Sequence, residues 1–326
     1  MTTQGPRGTS IPKGRVTVVV TAVMVAVGAA VFAITVGPGS TPAHAGSRPA
    51  PARTPEVVPG SYVALGDSYT SGPAIPTQLG PATTPTAPAT CLRSSENYPS
   101  LTARALGLQL VDVSCGGATT DDFDRSQASG IPAQLSALQR TTALVTVGIG
   151  GNDLGFSTIA TNCASYTPWG PTRVGWSCQD HYDAGGVDQV AGAVLAVGAK
   201  VTRVLAEVHQ RAPEAHVFVV GYPDIVPPTG SGCWPSLPFR AGDLDFLRGV
   251  EAELDSTLAA AAAGAGDRFV DMATPSATHS ACTAPDNRWV EPVLHPSGSY
   301  PLHPGAAGMA GMAGVLEGAM VSSGFH

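Results

Sequence analysis

Short apolar runs alternate with longer stretches of helical period along most of this chain. Ser61-Tyr62-Val63-Ala64-Leu65 is aromatic and branched and reads as a buried strand, with Gly66 to Gly72 a turn off its carboxyl end. Asn97 to Leu106 predicts a first helix, Leu108 to Val113 a second strand, and Pro132 to Gln139 a short helix with proline in its first turn. Ala143 to Ile149 is the clearest strand and runs straight into Gly150-Gly151-Asn152-Asp153. Asp188 to Arg211 predicts a long amphipathic helix and Ala215 to Gly221 a fourth strand. Leu244, Leu247, Val250, Leu254 and Leu258 recur at three- and four-residue steps, so Asp243 to Ala263 reads as helix. Asp267 to Asp271 reads as a short fifth strand, and Pro304 opens a small-residue helix running to about Met320. Residues 73–90, 222–240 and 273–304 read as loops, and 154–185, with no clean period, as an inserted loop region. Strands that alternate with helices predict a parallel sheet covered on both faces, one α/β domain over residues 61–326.

The N-terminus changes this picture. Arg7, Lys13 and Arg15 precede an uncharged apolar run from Val16 to Val36, and Ala43-His44-Ala45 offers a small-residue cleavage site. Residues 1–45 therefore read as a signal peptide, or, because the run is long enough to span a bilayer, as an uncleaved membrane anchor. Either outcome places the remainder outside the cytoplasm, secreted or held on the outer face of the membrane. Residues 46–60, rich in Pro and Ala, read as a flexible linker. All six cysteines (Cys91, Cys115, Cys163, Cys178, Cys233, Cys282) lie downstream, where disulfides persist. No Cys-x-x-Cys occurs and no cysteine stands at zinc-like spacing with a histidine, so structural disulfides are expected rather than a metal site; spacing alone selects no pairing. The net charge of -7, with no basic cluster beyond the N-terminus, speaks against a nucleic-acid partner. Nothing in the sequence suggests a large interface, so a monomer is expected.

Candidate chemistry collects where the strands end. Three loops leaving strand ends carry Ser68, Gly117 and Asn152, and a late loop carries His303. In acyl transfer Ser68 would be the nucleophile, which needs a base because a free hydroxyl is barely nucleophilic. The main-chain N–H groups of Ser68 and Gly117 and the side-chain amide of Asn152 would donate to an oxyanion, and His303 would serve as base and then acid. Each residue has a plainer reading. A lone serine or asparagine after a strand is most often a turn residue, Gly116 and Gly117 can be turn glycines, and Asp67 and Asp153 suit backbone bonding in their loops. His295, in Leu294-His295-Pro296, rivals His303, but only His303 leads directly into a helix. Met309 and Met312 read as packing against the sheet. Trp169, Trp176, Trp234 and Trp289 lie in loops, placed either to line an acyl pocket or to cover core.

Four blocks together, Gly66-Asp67-Ser68-Tyr69, Cys115-Gly116-Gly117-Ala118-Thr119, Gly150-Gly151-Asn152-Asp153 and Leu302-His303-Pro304, resemble the SGNH hydrolase superfamily, the GDSL esterases and lipases. In particular the chain resembles the secreted actinobacterial lipases and esterases with three disulfides, over about residues 60–322. The resemblance implies a flavodoxin-like three-layer α/β/α sandwich around a central parallel five-stranded sheet. It implies Ser68 as nucleophile, Gly117 and Asn152 as oxyanion donors, His303 as base, and pairs Cys91–Cys115, Cys163–Cys178 and Cys233–Cys282. One departure stands out: many members place an aspartate three residues before the histidine, where this chain has Tyr300. Some relatives use a main-chain carbonyl from that position, so the carbonyl of Tyr300 is expected to orient His303.

The expected function is hydrolysis of acyl esters or lipids through an acyl-Ser68 intermediate, without metal or cofactor. The absence of Gly-x-Ser-x-Gly counts against an α/β-hydrolase, and the absence of His-Glu-x-x-His against a zincin. Phospholipase, polysaccharide acetyl esterase and acyltransferase activities are alternatives on the same four blocks. A catalytically silent binding module would not need a serine, an amide and an imidazole together.

Overall fold

A computed structural model describes residues 61–80, 89–164, 177–229 and 232–325. The expected leader and linker of residues 1–60 therefore lie outside the described residues. Five strands form one sheet: β1 (Ser61–Gly66), β2 (Gln109–Asp112), β3 (Thr142–Gly148), β4 (His216–Val220) and β5 (Arg268–Val270). All neighbours are parallel and the order is β2-β1-β3-β4-β5, the doubly wound order in which ligands bind where the winding reverses, here between β1 and β3.

Nine helices are described. They are α1 (Ser68–Ser71), α2 (Tyr98–Leu106), α3 (Gly151–Leu154), α4 (Phe156–Ala164), α5 (Cys178–Tyr182), α6 (Gln189–Arg211), α7 (Ala241–Ala265), α8 (Ala273–Ser276) and α9 (Ala306–Val321). Successive strand residues point to opposite faces, and this splits the core in two. Val63, Leu65, Val145, Val147, Val217 and Val219 face one way and pack with Val194, Val201, Leu247 and Leu254 of α6 and α7. Tyr62, Ala64, Leu144, Phe218 and Val220 face the other way, under Tyr98 of α2 and Met309, Met312 and Leu316 of α9. The three layers follow.

Local chemistry sets the element ends. Asn97 accepts from Ser100 N–H to cap α2, which stops at Gly107 in the left-handed region (φ 64°). Asp188 accepts from Ala191 N–H to cap α6. The expected short helix near residue 132 is a 3₁₀ turn, Gln134–Ala137. Three expectations need correction. The stretch after β1, read as a turn, contains the one-turn helix α1, because Asp67 caps it by accepting from Tyr69 N–H. The region 154–185 holds α4 and α5, whose helical period was hidden because each is short and Cys163–Cys178 joins them. The loop 273–304 contains one helical turn, α8. The other two disulfides are Cys91–Cys115 and Cys233–Cys282, so the three pairs are those the resemblance implied.

The small residues of α9 are a packing requirement. A Cβ on Gly308 would stand 2.1 Å from the carbonyl oxygen of Trp289, and one on Gly311 would stand 2.1 Å from its indole. Gly314, in the same helix, meets nothing within 4 Å. Trp289 is thus buried beneath α9 and does not line an acyl pocket, Trp234 is exposed, and Trp169 and Trp176 lie outside the described residues.

The two glycines predict opposite signs for one substitution. Gly314→Ala should stabilise by up to about 1 kcal/mol through helix propensity. Gly308→Ala should destabilise by about 1–3 kcal/mol, because overpacking against a backbone carbonyl outweighs that gain. Urea unfolding of both variants checks the pair.

Candidate active site

The cleft forms at the carboxyl ends of β1 and β3. Ser68 follows β1 as the first residue of α1, and its Oγ lies 2.9 Å from Nε2 of His303. His303 Nδ1 is 2.8 Å from the carbonyl oxygen of Pro301. A carbonyl only accepts, so Nδ1 carries the proton and Nε2 presents a lone pair to the serine hydroxyl. Burial lowers the imidazole pKa below 6.5, against a smaller upward pull from the Pro301 bond. The ring is therefore neutral and basic near pH 7.

Tyr300 does not take the expected role. Its carbonyl accepts the main-chain N–H of His303 at 3.1 Å, closing a turn in which Leu302 has φ 61°. That turn places the carbonyl of Pro301, and not that of Tyr300, against the ring nitrogen. His295, the rival histidine, is exposed. The His303 loop is fixed from below by Glu291. Its N–H bonds His303 O and its carbonyl accepts from Leu302 N–H, each at 2.9 Å, while its buried carboxylate meets Arg288 and Ser297 N–H.

Asn152 sits in α3, just after β3, and lines the same cleft as Ser68 and His303. Its Nδ2 donates to Ala118 O at 2.9 Å, which leaves that nitrogen a second N–H to offer and ties α3 to the glycine loop. Gly117, exposed at φ 76° in the left-handed region that favours glycine, precedes Ala118. The flanking amides are engaged, Gly116 N–H with Cys91 O and Ala118 N–H with Cys115 O. Asp153 accepts from the N–H and hydroxyl of Thr120 and pairs with Lys200 at 3.0 Å, so it supports the loops. Ser68, Asn152 and His303 thus meet in one cleft, with Gly117 joined to it through Ala118.

Sequence reasoning missed a second set of residues. Tyr222, from the loop after β4, donates from its hydroxyl to Asp67 Oδ2 at 2.6 Å and accepts from Gly151 N–H at 2.9 Å. It therefore links the residue before Ser68 to the residue before Asn152. Tyr69 packs edge-on against Tyr222, with ring centroids 4.9 Å apart, and its hydroxyl donates to Leu302 O beside the histidine. Gln134 accepts from Gly66 N–H and donates to Gly66 O, holding the end of β1. No sequence signal marks Tyr222 or Gln134, since a loop tyrosine and a surface-type glutamine are common. Asp67 itself is 1% exposed, and burial pushes its pKa up to about 6 against the bonds from Tyr222 and Tyr69 N–H.

Known proteins share this arrangement of the chain. Residues 64–310 match the family model described as GDSL-like Lipase/Acylhydrolase family. Lipase 2 of Streptomyces coelicolor is 38% identical over 307 residues, 93% of this chain and 97% of that protein. The crystal structure of phospholipase A1 from Streptomyces albidoflavus superposes with TM-score 0.64 at 28% identity, covering 79% of this chain and 98% of that one. The extracellular lipase from Streptomyces rimosus gives TM-score 0.60 at 27% identity, over 80% and 99% of the two chains.

Asp67 carries a pH signature. Its folded pKa, about 6, lies above the ordinary 3.8, so the folded state holds this proton more tightly than the unfolded chain does. Its contribution to stability is fully present below the ordinary value and is lost as pH rises through the folded one. Asp67→Asn removes that titration. Its melting temperature should gain on wild type between about pH 4 and about pH 6.5 and then run parallel, as thermal melts across pH will show.

Proposed function

The chain belongs to the GDSL-like lipase/acylhydrolase family and is a carboxylic ester hydrolase, and from that premise we propose how its residues divide the reaction. Ser68 Oγ attacks the acyl carbonyl carbon while its proton passes to His303 Nε2. The negative charge on the carbonyl oxygen is received by the N–H groups of Ser68 and Gly117 and by the Asn152 amide. Collapse expels the alcohol, which takes the proton from His303, and leaves the acyl group on Ser68. Water, deprotonated by the same nitrogen, then releases the carboxylic acid. The observation that carries this reading is the continuous line from Ser68 Oγ through both imidazole nitrogens to Pro301 O, at 2.9 and 2.8 Å.

In this scheme a neutral carbonyl orients the base. It fixes the tautomer as a carboxylate would, but it stabilises the imidazolium less, which leaves more of the barrier to the oxyanion donors. The apolar side chains of Phe156, Ile225, Leu254 and Leu302 in the cleft suit an aliphatic acyl group. That lining agrees with the lipase and phospholipase names of the Streptomyces neighbours, and the acyl length it admits is set by the space beside Ser68. Work outside the cytoplasm is supported by three disulfides and by the leader-like sequence of residues 1–45.

Hydrolysis of p-nitrophenyl esters by residues 46–326 tests the assignment. Ser68→Ala and His303→Ala should each lower kcat by roughly 10⁴-fold or more, and Asn152→Ala by roughly 10²–10³-fold. A folded Ser68→Ala variant with near wild-type turnover would sink it. The acid limb of kcat/KM should inflect below the ordinary histidine value of 6.5, because burial holds His303 neutral and the base form survives to lower pH.

A further inference from the structure

We propose that Glu251 is the wall that limits how much of an acyl chain the cleft admits, and that it closes off a second cavity able to hold a longer one. The inference rests on the assignment of Ser68 and His303 above. Space is the first argument. The free volume beside Ser68 is only about 40 Å³, whereas the adjoining cavity offers about 400 Å³. By the same measure one water occupies roughly 10–15 Å³, so the cleft takes a short acyl group and little more.

The second argument is the partition itself. Among the described residues, only Tyr222 and Glu251 line both spaces. Tyr222 is clamped, its hydroxyl by Asp67 and Gly151 N–H and its own N–H by Asp255 at 3.0 Å. Glu251 is the half whose side chain can be shortened without touching that clamp. It stands on α7 between Leu247 and Leu254, in a buried stripe that is otherwise apolar apart from Asp243. Main-chain N–H groups of Ile225 and Val226 bond its carboxylate, but its Oε1 is buried with no hydrogen-bond partner among the described residues. An unpaired carboxyl oxygen in this position is costly, and an alanine or leucine would fit the stripe better.

Chemistry behind the wall is compatible with an aliphatic chain. Val226, Pro228, Ala252, Ala259 and Phe269 give the second cavity its apolar surface. Arg248, Asp224, Asp255 and Asp271 also line it, and burial pushes Asp224 and Asp255 up, Asp255 to about 7, so these two are neutral more often than exposed carboxylates. Burial and the nearby Asp224 and Asp255 likewise raise Glu251 well above its ordinary range.

The test is the ratio of kcat/KM for p-nitrophenyl dodecanoate to that for the butanoate. Wild type should favour the butanoate. Glu251→Ala should raise the ratio by roughly tenfold or more, since each further methylene removed from water is worth about fourfold. Glu251→Gln, which keeps the volume, should retain the wild-type ratio, and Ser256→Phe added to Glu251→Ala should refill the cavity and lower the ratio again. If Glu251→Ala does not fold, Glu251→Asp is one methylene shorter and should move the ratio the same way by less. An unchanged ratio in a folded Glu251→Ala or Glu251→Asp protein overturns the proposal, as does a Gln variant that shifts the ratio as far as Ala does. These readings are independent of the catalytic assignment, which fails only if Ser68→Ala leaves turnover intact at every chain length.

Discussion

The pairing of β1 with β3 runs to the last residue of each strand, Gly66 opposite Gly148, and the site depends on that register. Two parallel strands that end level deliver their outgoing loops to one place. Asp67 N–H completes the alignment by donating to Gly148 O at 3.0 Å. The chain then turns into α1 on one side and α3 on the other, so Ser68 and Asn152 face a common cleft although 84 residues separate them. This is the point where the winding of the sheet reverses, and the divergence of the two connections opens the space. A one-residue slip would reverse every inward and outward side chain along β1 and separate the two loops.

The remaining pieces are brought to that point by hydrogen bonds more than by packing. Asn152 Nδ2 reaches Ala118 O and Asp153 holds Thr120, so the glycine loop and α3 move as one. Tyr222 joins Asp67 to Gly151, and Tyr69 joins the serine turn to Leu302. On the histidine side, the buried Glu291 carboxylate and its main chain fix the loop at both ends of His303. Ser68, Asn152 and His303 are thus each backed by residues whose own positions are determined, as preorganised electrostatics would require.

That preorganisation has a thermodynamic cost concentrated on one flank. Asp67, Glu251 and Asp255 are carboxyls removed from water without an ion pair among the described residues, and burial raises the pKa of all three. A protein optimised only for stability would not keep three acids here. Their placement around Tyr222, against the cleft wall, ties the expense to the site rather than to the fold.

By itself the sequence determined the five strands and the long helices, and it singled out Ser68, Asn152 and His303 as the candidates that the structure brings to one cleft. Those features rest on local period, on turn chemistry and on four short blocks whose residues are adjacent in the chain. The disulfide pairs were open on spacing alone and were supplied by the resemblance. The helices α4 and α5 escaped because nine and five residues give too few periods to read. The acceptor for His303 escaped for a different reason. Tyr300 and Pro301 offer the same carbonyl to a sequence reader, and only the turn geometry decides which one reaches Nδ1. Tyr222, Gln134 and Glu251 act across separations of 68 residues or more or between two cavities, through contacts that no local pattern encodes. Chemistry was written locally; its orientation and the limits of its pocket came from tertiary contacts.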